Sequence, residues 1–223
     1  MIITAKRDLQ ELMENIKNYK SFFLIGCSEC ASLCATGGEP ELKAMKETLD
    51  AEGKKITGSF VAKTGCQVLG TKVELKPFKD AIAEADCILV MSCGAGTQTA
   101  VELYEDKPVY PTNDTLFLGN MTRLQMFDER CSLCGKCILD KTGGICPVTA
   151  CPKGLLNGPC GGTNEGKCEV SPDIECAWVR IYNRMKRINK LEDMREIAKP
   201  KDWSAHKKPM KLNIREKKEE AKK

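Results

Sequence analysis

The sequence predicts an α/β fold followed by a small cysteine-rich domain. Short apolar runs alternate with amphipathic helical patterns through about the first 125 of the 223 residues, which is typical of parallel strands joined by helices. Eight of the 14 cysteines then fall within residues 131–176, a stretch rich in glycine and proline. We therefore expect an α/β domain at 1–125, a cysteine-rich domain with a C-terminal helix at 126–198, and a basic, disordered tail at 199–223.

The spacing of apolar residues gives the order of elements in the first domain. It predicts helices at 7–19, 39–51, 77–85 and 97–104, and strands at 21–26, 56–63, 87–91 and around Val109. This alternation favours a parallel, Rossmann/flavodoxin-like sheet, in which ligands bind at the carboxyl ends of the strands.

Cysteines follow the carboxyl ends of three predicted strands. Cys27, Cys66 and Cys93 each come just after a strand, and Cys30 and Cys34 share the loop of Cys27. Since the carboxyl ends of parallel strands meet along one edge, we expect these thiolates to come together there. One metal site needs four thiolates, so one of the five is spare or supports the ligands from outside the metal's coordination sphere. We slightly prefer the ligand set Cys30, Cys34, Cys66 and Cys93 over sets that contain Cys27.

Other interpretations of the first domain stay open. The five cysteines could be reduced core residues, as we expect for Cys87, which opens an apolar strand. Gly94 and Gly96 could instead cradle a phosphate at a helix N-terminus, although the third glycine of a nucleotide fingerprint is absent. An independent flavin or nucleotide enzyme would use this loop and would carry a bound chromophore.

The cysteine spacing in the second domain is typical of iron-sulfur ligation, which makes it a ferredoxin-like metal-binding domain. Cys131, Cys134 and Cys137 have the C-x2-C-x2-C spacing that holds three corners of a cubane cluster. Cys146 precedes a proline, as in ferredoxins, but follows the triplet after eight residues instead of three. The remaining cysteines are Cys151, Cys160, Cys168 and Cys176. The simplest allocation pairs the triplet with a later cysteine and Cys146 with three others, and the pairing stays open.

Zinc is the alternative occupant of these sites, because structural zinc also takes four thiolates. Zinc ribbons carry two separated C-x2-C pairs, whereas this chain has one triplet and no second pair. We therefore expect two or three 4Fe-4S clusters, with zinc as the alternative in place of one. Apolar residues at helical spacing predict a helix at 177–197 that packs on this domain.

Composition excludes several classes of protein. No apolar run is long enough for a membrane helix, and the N-terminus lacks the apolar region of a signal peptide. We expect a cytoplasmic protein, in which cysteines stay reduced and bind metals. The net charge of +4 comes from residues 199–223, with ten Lys or Arg against four Asp or Glu. The remainder is close to neutral, which argues against nucleic-acid binding.

The motifs CSLCGKC, GGICPVTACPKGLLNGPCGG and GKCEV followed by CAW resemble a known family. It is the small iron-sulfur (zinc/Fe-S-binding) subunit of acetogen-type methylenetetrahydrofolate reductases. The resemblance extends upstream through G-C-x2-C-x3-C-x2-G-G-E at 26–39, then Cys66 and C-G-x-G at 93–96, and covers about residues 20–185.

The resemblance implies a non-catalytic electron-transfer subunit, which leaves it open whether the chain counts as an enzyme. Its clusters would relay electrons from a donor, such as ferredoxin or a larger electron-transfer complex, to the flavin of a (β/α)8 barrel partner. That partner reduces methylenetetrahydrofolate to methyltetrahydrofolate, and this chain is too short to be the barrel. The rival hypothesis is a zinc-stapled docking subunit of the same complex without a redox role.

Overall fold

The computed structural model describes residues 1–213. The chain forms two compact units, Met1–Glu129 and a second from Arg130 onward. Within the described residues, no helix is long and apolar enough to cross a membrane.

The first unit is an α/β domain built on a parallel sheet. Its elements are β1 (Ile2–Lys6), α1 (Leu9–Asn15), β2 (Ser21–Cys27), α2 (Cys30–Leu33), α3 (Glu39–Ala51), β3 (Lys55–Ala62), α4 (Val68–Leu75), α5 (Lys79–Glu84), β4 (Cys87–Met91), α6 (Gly94–Leu103), β5 (Val109–Pro111), β6 (Asn113–Arg123) and β7 (Met126–Cys131). The parallel strands lie in the order β3-β2-β4-β5. The prediction of an α/β fold with a parallel sheet is confirmed.

Helices cover both faces of this sheet. Successive side chains of β2 point to opposite faces, so each face packs against its own set of helices. Phe22 and Leu24 pack with residues of α1 and α3, whereas Phe23 and Ile25 pack with residues of α4, α5 and α6. All seven residues of β2 are buried, as expected for the central strand of a sheet covered on both sides.

A second sheet of the first unit differs from the sequence prediction. Strands β1, β6 and β7 form an antiparallel sheet in which Ile2 pairs with Leu118 and Lys6 with Asn113. The helix expected at 7–19 is shorter: α1 begins after Asp8, whose carboxylate accepts a hydrogen bond from the Glu11 N–H, and it ends at Asn15.

The second unit contains little regular structure. Its elements are α7 (Pro147–Ala150), the antiparallel strands β8 (Lys167–Cys168) and β9 (Ser171–Glu175), and α8 (Ala177–Arg187). Trp178, Ile181 and Met185 of α8 form its core, in line with the expected packing of this helix. The helix ends before 197, because Asn189 adopts a left-handed backbone (φ 56°). The ferredoxin-like character of this unit stays a prediction.

The first part of the basic tail, residues 199–213, is described by the structure. Residues Trp203–Ala205 form a 3-10 turn. Lys201 Nζ donates a hydrogen bond to the Lys136 carbonyl, and a ring nitrogen of His206 contacts the Leu133 carbonyl. These contacts place the described part of the tail against the loop of the cysteine triplet, and the disorder of the tail stays a prediction. Residues 214–223 lie outside the described residues.

Candidate metal centres

The loop after β2 crosses the carboxyl end of β4. The Cys27 N–H donates a hydrogen bond to the Gly37 carbonyl over 2.9 Å, which turns the loop back on itself. A Cβ at Gly37 would lie 1.7 Å from the Met91 carbonyl oxygen. Only glycine allows this approach, which brings the first group of cysteines next to the end of β4.

The loops after β2, β3 and β4 meet at this edge. The Gly65 N–H donates to the Cys27 Sγ over 3.5 Å, and a Cβ at Gly96 would lie 3.5 Å from the Gly65 carbonyl carbon. The pKa of Cys66 is raised, first by burial and then by the nearby Cys93, followed by Cys27 and Cys30. Like charges raise a thiol pKa in this way only when the thiols are close. The loops that carry Cys27, Cys30, Cys66 and Cys93 therefore lie together, and we call these four cysteines the sheet-edge thiols.

Strand β1 orients the other cysteines of the first loop. The Ile2 N–H donates to the Cys30 Sγ over 3.3 Å, while the Cys34 Sγ faces the Ile2 carbonyl at 3.9 Å. Which four of the five cysteines would share a metal stays a prediction.

Asn113 joins two of these loops from the antiparallel sheet. Its side-chain amide donates to the Thr36 carbonyl over 3.1 Å and to the Ser92 carbonyl over 3.4 Å. Its oxygen accepts from the Thr112 hydroxyl over 3.3 Å, and Asn113 is only 4% exposed. Sequence reasoning missed this residue, since Thr-Asn-Asp resembles a surface turn, and only its burial identifies it.

Cys87 and the glycines of the β4 loop have structural roles. Cys87 is fully buried, and burial raises its pKa to about 12, so it stays a protonated thiol. The Gly94 N–H donates to the Thr115 hydroxyl over 2.8 Å, so this amide is not free for a phosphate. A Cβ at Gly96 would lie 2.3 Å from the Ser92 hydroxyl oxygen, which explains a glycine there.

Four cysteines of the second unit line a single small cavity: Cys151, Cys160, Cys168 and Cys176. They come from the end of α7, the following loop, β8 and the start of α8. Trp178 closes one side of this cavity, and its Nε1–H is satisfied by the Leu155 carbonyl at 3.0 Å. We call this group the cavity thiols.

Backbone and lysine groups favour the thiolate of one cavity thiol. The pKa of Cys160 is lowered, mainly by a hydrogen bond from the Gly162 N–H and further by the Lys153 charge. Lys153 also pairs with Glu169, another residue of the cavity wall. A thiolate stabilised in this way is the form that binds metals.

The other four cysteines belong to the triplet and its continuation: Cys131, Cys134, Cys137 and Cys146. The Ser132 and Thr149 hydroxyls are 2.9 Å apart, which brings the triplet loop to α7, and Cys146 directly precedes that helix. The Leu133 N–H donates to the Cys131 Sγ over 3.4 Å. Burial acts to raise the pKa of Cys134, but hydrogen bonds involving Lys201 and the Lys136 backbone leave it lowered. We call this group the triplet thiols.

The donor chemistry of all three groups fits a thiolate-ligated metal. All 14 cysteines are free thiols, and soft thiolates select zinc or iron-sulfur clusters. Across residues 1–213, no three Cys, His, Asp or Glu side chains converge closely enough to hold a metal ion. The cavity thiols surround about 20 Å³, which is close to the space of one water molecule. A single ion therefore needs less movement of these loops than a cubane cluster does.

Residues 110–204 match a sequence family described as "Methylene-tetrahydrofolate reductase C terminal". The match spans the cavity thiols and the triplet thiols, and it relates this part of the chain to methylenetetrahydrofolate reductases. Comparison with curated proteins and with solved structures gave no significant match.

Proposed function

We propose that this chain is the electron-transfer subunit of a methylenetetrahydrofolate reductase complex. The observation that carries the proposal is that three separate cysteine-bearing loops meet at the carboxyl edge of the sheet. Core cysteines have no reason to gather where parallel sheets bind ligands. The family match over 110–204 supports the link to the reductase.

Three thiol groups would hold the metals in this proposal. The sheet-edge thiols would ligate one 4Fe-4S cluster, and the triplet thiols and the cavity thiols one centre each. When bound, such clusters take up and release single electrons.

The chain itself prepares the thiols by donating backbone N–H groups to sulfur. Such bonds stabilise the charged thiolate and tune the potential of a bound cluster. Each group contains at least one: Gly65 to Cys27 and Ile2 to Cys30 at the sheet edge, Leu133 to Cys131 in the triplet, and Gly162 to Cys160 at the cavity.

The partners proposed for this subunit are those that the family resemblance implies. A flavin-containing barrel subunit would carry out the reduction of methylenetetrahydrofolate to methyltetrahydrofolate. Ferredoxin or a larger electron-transfer complex would supply the electrons. The chain described here would bring no folate site of its own.

Metal analysis of the anaerobically purified chain tests the proposal. We expect iron and acid-labile sulfide, with an EPR signal that appears on reduction. Cys66→Ser should remove the contribution of the sheet-edge cluster, whereas Cys87→Ala should keep it, since Cys87 lies in the core. Zinc alone, without a reducible signal, would contradict the proposal.

A zinc-stapled docking subunit is the second candidate, and the small volume at the cavity thiols favours it. In that case Cys168→Ser would release zinc but leave electron transfer intact in any complex that still assembles. A dye-coupled reductase assay of the assembled complex separates the two functions, because an electron-transfer subunit would lose activity with its clusters.

A further inference from the structure

Helix α4 presents apolar side chains to solvent. Leu69 is 72% exposed, Val73 61% and Val68 36%. A helix on a sheet normally turns its apolar residues to the core and its polar residues outward. Here Thr71 and Leu75 take the inward positions, so the outward apolar strip is not needed for packing on the sheet. Contiguous exposed apolar groups often mark binding surfaces.

Lysines surround this strip in a unit that is otherwise acidic. Residues 63–79 contain four lysines and one glutamate, whereas residues 1–129 contain 14 Lys or Arg against 19 Asp or Glu. The lysines are Lys63, Lys72, Lys76 and Lys79. All four are exposed, and none forms an ion pair with another described residue. The surface is therefore a local patch of positive charge with unpaired cations.

This basic apolar surface adjoins the sheet-edge thiols. Cys66 is exposed and is separated from the start of α4 by Gln67 alone. The Gln67 side chain accepts a hydrogen bond from the Gly70 N–H and fixes the start of the helix next to Cys66. A protein bound on α4 would therefore lie beside the exposed member of the thiol group.

We propose that the outward face of α4 is the docking surface for an acidic electron-carrier protein. This inference rests on the proposed function and deepens it by naming the site and the charge of the partner. Lysines without partners attract an acidic surface and speed its encounter. A short apolar strip suits the small interfaces of transient redox pairs, which must also separate quickly.

Charge reversal on α4 tests the docking surface. The probe is an acidic two-cluster ferredoxin, titrated calorimetrically into the full anaerobic chain at low salt. We expect Lys72→Glu with Lys76→Glu to weaken binding about tenfold, and added salt to weaken binding to the unaltered chain. Leu69→Ser should weaken binding without changing the charge. Circular dichroism verifies that each variant is folded.

Lys43→Glu with Lys46→Glu is the matched control. These lysines are exposed on α3, whose core residues pack on the opposite face of the sheet, so binding should be unchanged. The inference is overturned if the α4 variant binds ferredoxin as tightly as the unaltered chain does, or if the α3 control loses as much affinity as the α4 variant. Binding of serum albumin as tight as that of ferredoxin would also overturn it.

The metal content of the same samples separates this inference from the proposed function. A chain that binds ferredoxin through α4 but contains no iron would contradict the electron-transfer function and keep the docking surface. If the chain holds a reducible cluster but its α4 variant binds ferredoxin normally, the docking surface is contradicted and the electron-transfer function stands.

Discussion

Asn113 holds two cysteine-bearing loops together from a strand outside the parallel sheet. Its amide donates to carbonyls that lie in the loop after β2 and at the end of β4. Because both carbonyls are buried with Asn113, they depend on this side chain for their hydrogen bonds. Asn113 therefore sets the spacing of Cys34, which lies shortly before Thr36, and Cys93, which directly follows Ser92.

Asn113→Ala should destabilise the protein and loosen the sheet-edge thiols. Leaving the Thr36 and Ser92 carbonyls without a donor is expected to cost about 1–3 kcal/mol in the free energy of unfolding. Urea unfolding of the metal-free chain measures this loss. Metal analysis and EPR of the anaerobic protein measure retention at the sheet edge.

Ser21→Ala is the control for this variant. The Ser21 hydroxyl bonds to the Glu84 carbonyl and the Asp86 N–H at the amino end of the same sheet. It should lower stability by a comparable amount and leave metal retention unchanged. If both variants keep the sheet-edge metal equally well, Asn113 does not position the thiols.

The positions of single cysteines were predictable only where a regular element leads to them. Cys27, Cys66 and Cys93 follow apolar strands, so their common edge could be predicted from the strand order. The neighbours of each thiol within the first loop depend on contacts with Ile2 and Gly65. Those contacts come from β1 and from the β3 loop, and no local pattern in the sequence contains them.

The amino ends of β2 and β4 are joined by a carboxylate. Asp86 accepts hydrogen bonds from the Lys20 and Ser21 N–H groups, both over 3.0 Å. These bonds lower the pKa of Asp86, first through Lys20 and then through Ser21. A carboxylate whose pKa is lower in the folded state stabilises the fold above its unfolded pKa of about 4. This contribution is lost as the pH falls through the lowered folded pKa.

Asp86→Asn should therefore be less stable than the unaltered chain at pH 7. The difference should shrink as the pH falls below about 4, since the carboxylate then becomes protonated. Urea midpoints of the two proteins from pH 7 to pH 2.5 measure this. Asp50→Asn is the control, because the Asp50 side chain is exposed and bonds to no other described residue. A constant gap at all pH values would contradict the role of the Asp86 charge.

Elements with a buried face were easier to predict than elements with an exposed one. Strands β2 and β4 are buried throughout and appear as apolar runs in the sequence. Helix α4 was not predicted, because its apolar residues point outward and Gly70 interrupts it. Strand β6 was also missed, since most of its 11 residues are exposed and show no alternation.

At the scale of the whole molecule, the cysteines divide between two compact units. The sheet-edge thiols depend on strand ends of the first unit, which has a core on both faces of a sheet. The triplet and cavity thiols lie in a unit with a core of three fully or nearly buried residues. Small domains with small cores commonly need bound metals for stability. We therefore expect the second unit to depend on its metal more strongly than the first.

Single cysteine variants of the two units should act independently. Cys168→Ser should release the metal at the cavity thiols and lower the temperature at which the second unit unfolds, because four ligands stabilise a small core. Cys66→Ser should remove the sheet-edge signal and leave that temperature nearly unchanged. In the double variant the two losses should add, as expected for sites that share no ligand. Metal analysis, EPR and calorimetry of the three anaerobic proteins measure this. If either single variant removed the metal of both units, the thiol groups would not be separate centres.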